Sequence, residues 1–222
     1  MLFATFTTIV LVSCYFLFSN KTFKYCSNEN YLLGIHDSLP VIEINYNNNR
    51  NYILEEISLK LNQETCCKTN EFLLKMNNNE TVNVKLFNYC KSCGILCGNM
   101  SFTRILLNQN NQVFVNERPI FNDSLTNHLH NLLKKPNTDY DYVENCMLYW
   151  DLTTKKEHIE KIFIAIKKAY QLYYEEIALQ RFEKHICQLT KKEKEEIKRD
   201  QSSIYLGAGN RIFEPIPPPP KK

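Results

Sequence analysis

Cysteine is the residue type in this chain best equipped for chemistry, and five of the nine cysteines crowd into one stretch. Cys66 and Cys67 are adjacent, and Cys90, Cys93 and Cys97 follow as a C-x2-C-x3-C run. A C-x2-C pair can hold a zinc ion between two thiolates, and a structural zinc takes four ligands. Cys66 or Cys67 with Cys90, Cys93 and Cys97 would complete that set. In an oxidising compartment the same residues would form disulfides that tie down a loop-rich region. Neighbouring side chains point in different directions, so Cys66 and Cys67 call for different partners. A thioredoxin-like use of Cys90 and Cys93 fails on context, because no βαβ pattern surrounds them. We read the cluster first as disulfides, with a zinc or redox protein centred on Cys90, Cys93 and Cys97 as the alternative.

Other chemistries find less support. The five histidines, His36, His128, His130, His158 and His185, are scattered, and no Ser/His/Asp or Cys/His constellation is legible. His128 and His130 stand two apart on a predicted helix and so do not share a face, as paired metal ligands should. Only five glycines are present, and neither a phosphate-binding loop nor a dinucleotide fingerprint occurs. A net charge of +3, with no basic run interleaved with aromatics, gives no nucleic-acid surface. The expectation is a binding protein rather than an enzyme.

The elements that must position these residues begin with Met1–Ser19, which carries no charge. About 20 apolar residues cross a bilayer core, so the segment reads as a transmembrane anchor or a signal segment. Leu11-Val12-Ser13-Cys14 resembles a lipobox, which makes Cys14 a lipidation candidate and the candidate odd cysteine. The apolar run continues past it through Phe18, as an uncleaved anchor would. Lys21 and Lys24 favour a cytoplasmic remainder by the positive-inside rule. Nine cysteines weigh the other way, towards export.

Residues 20–100 read as a β-rich, cysteine-containing region. Val41–Tyr46 is a strand candidate, and Glu71–Met76 and Val82–Phe87 flank an Asn-rich turn. Ile53–Leu61 fits a short helix through Ile53, Ile57 and Leu61, or an alternating strand through Ile57, Leu59 and Leu61. Residues 101–200 read more clearly. Ser101–Leu107 and Val113–Val115 form a hairpin around Asn108–Asn111, and Asn122, Asp123 or Ser124 caps a helix. Its apolar face is Leu125, Leu129, Leu132 and Leu133. Val143–Trp150 is a buried strand. A long helix then opens with capping-box spacing at Thr154 and Glu157. Its core stripe is Ile159, Ile162, Phe163, Ile166, Tyr170, Tyr173 and Ile177, and its polar face is Glu160, Lys161, Lys167 and Lys168. Thr190 and Glu193 open a charged surface helix. Residues 201–222 read as a proline-rich tail.

In the order of its elements, the stretch from Ser101 is similar to the ExbD/TolR family of biopolymer transport proteins. The likeness rests on Ile105-Leu106-Leu107-Asn108, on Val113-Phe114-Val115-Asn116 with Pro119, and on the Leu125–Leu133 helix. It continues through Asp151 at the end of the central strand and the helix from Ile159 to Tyr170. The C-terminal extension of some members is matched by Ala169-Tyr170, Phe182-Glu183-Lys184, Leu189-Thr190, Lys192-Glu193-Lys194 and Ile212–Pro215. The resemblance implies an N-terminal membrane helix, a periplasmic domain, and coupling of the proton gradient to envelope work through a protein partner of ExbB/TonB type. In that family the coupling depends on an intramembrane acid, and such a group is costly unless used. No acidic residue precedes Glu29 here, so the segment has no proton carrier.

The fold expected is therefore α+β. A small mixed sheet is packed by two helices, preceded by the β-rich region and by the anchor or lipoprotein signal. The expected setting is the cell envelope, with the bulk of the chain on the extracytoplasmic side, tethered to the membrane, and the expected partners include a second copy as a homodimer.

Overall fold

The computed structural model describes residues 26–48, 50–61, 70–77, 79–88, 102–134, 145–151, 153–198 and 203–208. Five α-helices lie among them: α1 (Ser27–Leu32), α2 (Arg50–Lys60), α3 (Leu125–Leu133), α4 (Lys156–Phe182) and α5 (Lys191–Lys198). The strands are β1 (Val41–Ile42), β2 (Asn70–Lys75), β3 (Thr81–Asn88), β4 (Phe102–Leu107), β5 (Val113–Val115), β6 (Arg118–Ile120), β7 (Asn145–Trp150) and β8 (Ile204–Ala208). All eight join one mixed sheet in the order β1-β2-β3-β8-β7-β4-β5-β6. The class is α+β, with a larger sheet and more helices than the small two-helix layer expected.

The sheet crosses the boundary expected at residues 100/101. β3 pairs in parallel with β8, and β8 with β7, so both sides share one ladder. They also share one core, in which Phe72, Leu74, Val84 and Leu86 join Ile105, Leu148, Phe163 and Tyr174. The strand that makes this junction lies in the segment read as a tail. Ser203–Leu206 are all buried, and Tyr170 from α4 seats the strand. Its phenol oxygen accepts the Cys146 N–H at 3.2 Å, and its hydroxyl donates to the Ser203 carbonyl at 3.2 Å. A central parallel strand is buried on both faces and reads as a continuous apolar run without alternation. Ile204-Tyr205-Leu206 is such a run, too short to mark a strand without its neighbours β3 and β7.

Local chemistry explains most of the other elements. Around the β4–β5 turn, Asn108 Oδ1 accepts the N–H groups of Asn110 and Gln112, and Asn111 adopts φ 59°. Asn116 and Glu117 both take positive φ, which gives the primed two-residue turn suited to a β5–β6 hairpin. Pro119 stands on the edge strand β6, where a missing N–H discourages pairing with another chain. In α2, Ile53 and Ile57 are fully buried while Leu59 is 71% exposed, which settles that segment as a helix. Residues 122–124 form a 3-10 turn, and no side chain caps α3.

The Thr154–Glu157 capping box does not form: α4 begins one residue later, and Thr154 Oγ1 donates to the Asn108 carbonyl instead. The second box does form, with Thr190 N–H donating to Glu193 at 2.7 Å and Glu193 N–H to Thr190 Oγ1 at 3.4 Å. Glu160 and Lys167, expected on a solvated face, are both buried. They meet the β2–β3 turn, where Glu160 accepts the Asn77 N–H at 3.2 Å and Lys167 donates to the Thr81 carbonyl at 3.1 Å. The apolar stripe of α4 is as read, with Tyr174 rather than Tyr173 fully buried.

The anchor segment, residues 1–19, lies outside the described residues. Among those described, no helix is long and apolar enough to cross a membrane.

Candidate functional site

Of the candidate site residues, Cys14, Cys66, Cys67, Cys90, Cys93 and Cys97 lie outside the described residues. Asp151 lies within them and acts as a clip for the β4–β5 hairpin. Its carboxylate accepts the Gln109 N–H at 2.9 Å, its own N–H donates to the Leu107 carbonyl at 3.0 Å, and its carbonyl accepts the Thr154 N–H at 2.9 Å. The histidines do not converge. His130 Nε2 stands 3.0 Å from Glu176, which Lys134 also meets at 2.7 Å, so this group joins α3 to α4. The hydrogen bond from Lys134 holds the Glu176 carboxyl below its ordinary range, and His130 adds to the effect. His185 pairs with Glu175 on α4. Among the described residues no cluster of His, Cys, Asp and Glu could hold a metal ion.

Two features stand out, one towards each end of α4. At the N-terminal end is a cleft of about 360 Å³ lined by Glu43, Ile44, Asn45, Tyr46, Asn47, Glu56 and Lys156. The alternation of β1 continues past its last paired residue, so Ile44 and Tyr46 point into the core while Glu43, Asn45 and Asn47 face out. The α2 helix runs back alongside, and Lys60 links Glu56, at 2.7 Å, to the Glu43 carbonyl, at 3.3 Å. The Tyr46 ring packs edge-on to Trp150 at 5.8 Å, with the Lys156 ammonium 5.9 Å from its centroid. Burial raises the Tyr46 phenol far above its ordinary pKa, with Glu160 and Glu43 adding to the rise, so it stays protonated. Lys156 and Lys75 flank Glu43 at 3.9 Å each, beyond hydrogen-bonding distance. Among the described residues no activated nucleophile faces this cleft. Its open carboxylate, ammonium and amide groups suit it to holding a polar ligand or segment.

Towards the C-terminal end is a fastening that the sequence did not suggest. Cys26, which caps α1, forms a disulfide with Cys187 in the 3-10 turn Ile186–Gln188 that follows α4, across 161 residues of sequence. The Asn28 amide donates to the carbonyls of Ile186 and Leu189, both at 3.0 Å, and of Cys187 at 3.3 Å. Tyr31 bonds to Glu195, and its ring lies beneath the ammonium groups of Lys198 at 4.5 Å and Lys194 at 5.2 Å. Glu175 accepts the Ile186 N–H at 3.1 Å, which places this turn level with the last third of α4. The only sequence signal for the bond was the cysteine count, because connectivity cannot be read from spacing across so long a gap.

No family model matches the chain, and no curated protein matches it.

Proposed function

We propose that this chain is an envelope-tethered protein of ExbD/TolR type, accessory to transmembrane transport or envelope energy coupling. Its N-terminal segment holds it at the membrane, and its folded domain binds a protein or cell-wall partner on the extracytoplasmic side. The observation that carries the reading is the succession from β4 to α4. An antiparallel hairpin is followed by α3, which crosses back to β7 lying parallel to β4, and then by the long α4. This is the order in which the sequence likeness runs. The Cys26–Cys187 disulfide supports an oxidising location, since such bonds persist outside the reducing cytosol. The absence of any acidic residue before Glu29 supports a role beside the proton-coupled motor rather than within it. The cleft around Glu43 and Lys156 is the surface offered to the partner.

Protease digestion of the full-length, C-terminally tagged chain in sealed membranes tests the reading. The expected result is that the tag sediments with membranes and is cut only from the extracytoplasmic side. A chain that fractionates as a soluble protein, or is cut only from the cytoplasmic side, overturns the proposal.

A further inference from the structure

The disulfide lies where solvent reaches it: Cys187 is exposed and Cys26 half-buried. It clasps an element that buries only one residue fully, Leu32. The helix α1 is six residues long, too short to persist in isolation. Besides the disulfide it is held by the Asn28 amide, by Tyr31 against Glu195, Lys194 and Lys198, by a Glu29–Gln171 hydrogen bond, and by Leu32 inserted in the core. We propose that Cys26–Cys187 is a thiol–disulfide exchange site, attacked at Cys187 by a dithiol oxidoreductase, and that reduction releases α1 from the domain.

The chemistry balances within that pair of partners. A thiolate of the dithiol attacks Cys187 Sγ, the S–S bond breaks, and Cys26 leaves as a thiolate that takes up a proton. The second thiol of the reductant then resolves the mixed disulfide. Cys26 and Cys187 are left as thiols, and the oxidoreductase is left as a disulfide. Attack at Cys187 is favoured by access, since it is the more exposed of the two sulfur-bearing residues.

The consequence rests on the tethered reading above. The six residues 20–25 separate the apolar segment from Cys26, and six residues span at most about 20 Å. With α1 released, the first residue held by the sheet is Val41. The 21 residues 20–40 then span at most about 70 Å. The clasp therefore sets how far the cleft can stand from the membrane.

Hydrogen exchange of the full-length chain in detergent tests the release, with dithiothreitol as the reductant and alkylation confirming that the bond has opened. Amides of residues 27–34 are expected to exchange at least tenfold faster after reduction, with β4, β7 and α4 unchanged. Cys26→Ser/Cys187→Ser should show the faster exchange without reductant. Unchanged protection of 27–34 in the reduced chain and in the variant would overturn the proposal, as would a bond that a thioredoxin-type dithiol protein leaves intact. The tether is read separately, by energy transfer from Trp150, the single tryptophan, to dansyl-labelled headgroups in vesicles carrying the chain. Transfer should fall on reduction. Faster exchange with constant transfer would contradict the tethered reading while leaving the clasp in place.

Discussion

The two ends of α4 are built differently. Around Lys156 the ion pairs are long, at 3.8 to 3.9 Å, and they surround an open cleft. Beyond Phe182 the chain folds back under a disulfide, a capping box and a 2.7 Å Lys184–Glu193 pair. A helix of 27 residues is about 40 Å long, so the two environments are well separated. The difference divides the labour along one rigid element: one end is fastened, and at the other Glu43 and Lys156 are held by long pairs.

The largest effect should come from removing the core that lets α4 act as one rod. Phe163 is fully buried and packs edge-on to Trp150. Phe163→Ala should cost about 3–5 kcal/mol. Both ends should then be lost in one urea transition, followed by tryptophan fluorescence. Two separate transitions would show that the ends are independent and would break the comparison.

Next in size is the fastening itself. Cys26→Ser/Cys187→Ser should lower stability by about 2–5 kcal/mol in denaturant titration, since the bond closes a long loop. Wild-type protein treated with reductant should approach the variant. A variant as stable as the oxidised wild type would make the clasp decorative.

The smallest effect concerns titration. Lys184 and the Thr190 backbone hold Glu193 down at about 2. A depressed carboxyl contributes stability that is present above the unfolded pKa and lost as pH falls through the folded one. That loss should therefore fall between about pH 4.5 and pH 2, and it should be slight, because the pair is at the surface and partly open to solvent. Burial raises Glu160, with Lys156 and the Asn77 N–H opposing the rise. Its sign is reversed: stability is favoured at low pH and declines as pH rises through the folded pKa. Carbon-detected NMR should find the Glu193 midpoint well below that of Glu160. The opposite order would remove the electrostatic half of the comparison.

What was legible in the sequence was local. The turn asparagines, the leucine stripe of α3 and the Thr190–Glu193 box each depend on residues a few positions apart, and each formed. Two local caps, at α3 and at Thr154–Glu157, failed to form, and the rest of what escaped depends on distant partners. Glu160 and Lys167 look solvated in a helical projection, but the β2–β3 turn, some 80 residues earlier, covers them. The role of β8 is fixed by β3 and β7 on either side, which no pattern within Ile204–Ala208 encodes. Cys26 and Cys187 gave no spacing signal, whereas the conspicuous cysteines from Cys66 to Cys97 lie outside the described residues. The cleft escaped for a similar reason, since it brings Glu43, Glu56 and Lys156 together from three elements.

The central claim is an extracytoplasmic domain fastened at one end, and non-reducing peptide mapping of protein harvested from its native cells under acid quench tests it most directly. The account predicts a single linked species that joins the peptide containing Cys26 to the peptide containing Cys187. Recovery of both residues as free thiols in every harvest, with no linked species even from cells exposed to a thiol oxidant, would contradict it.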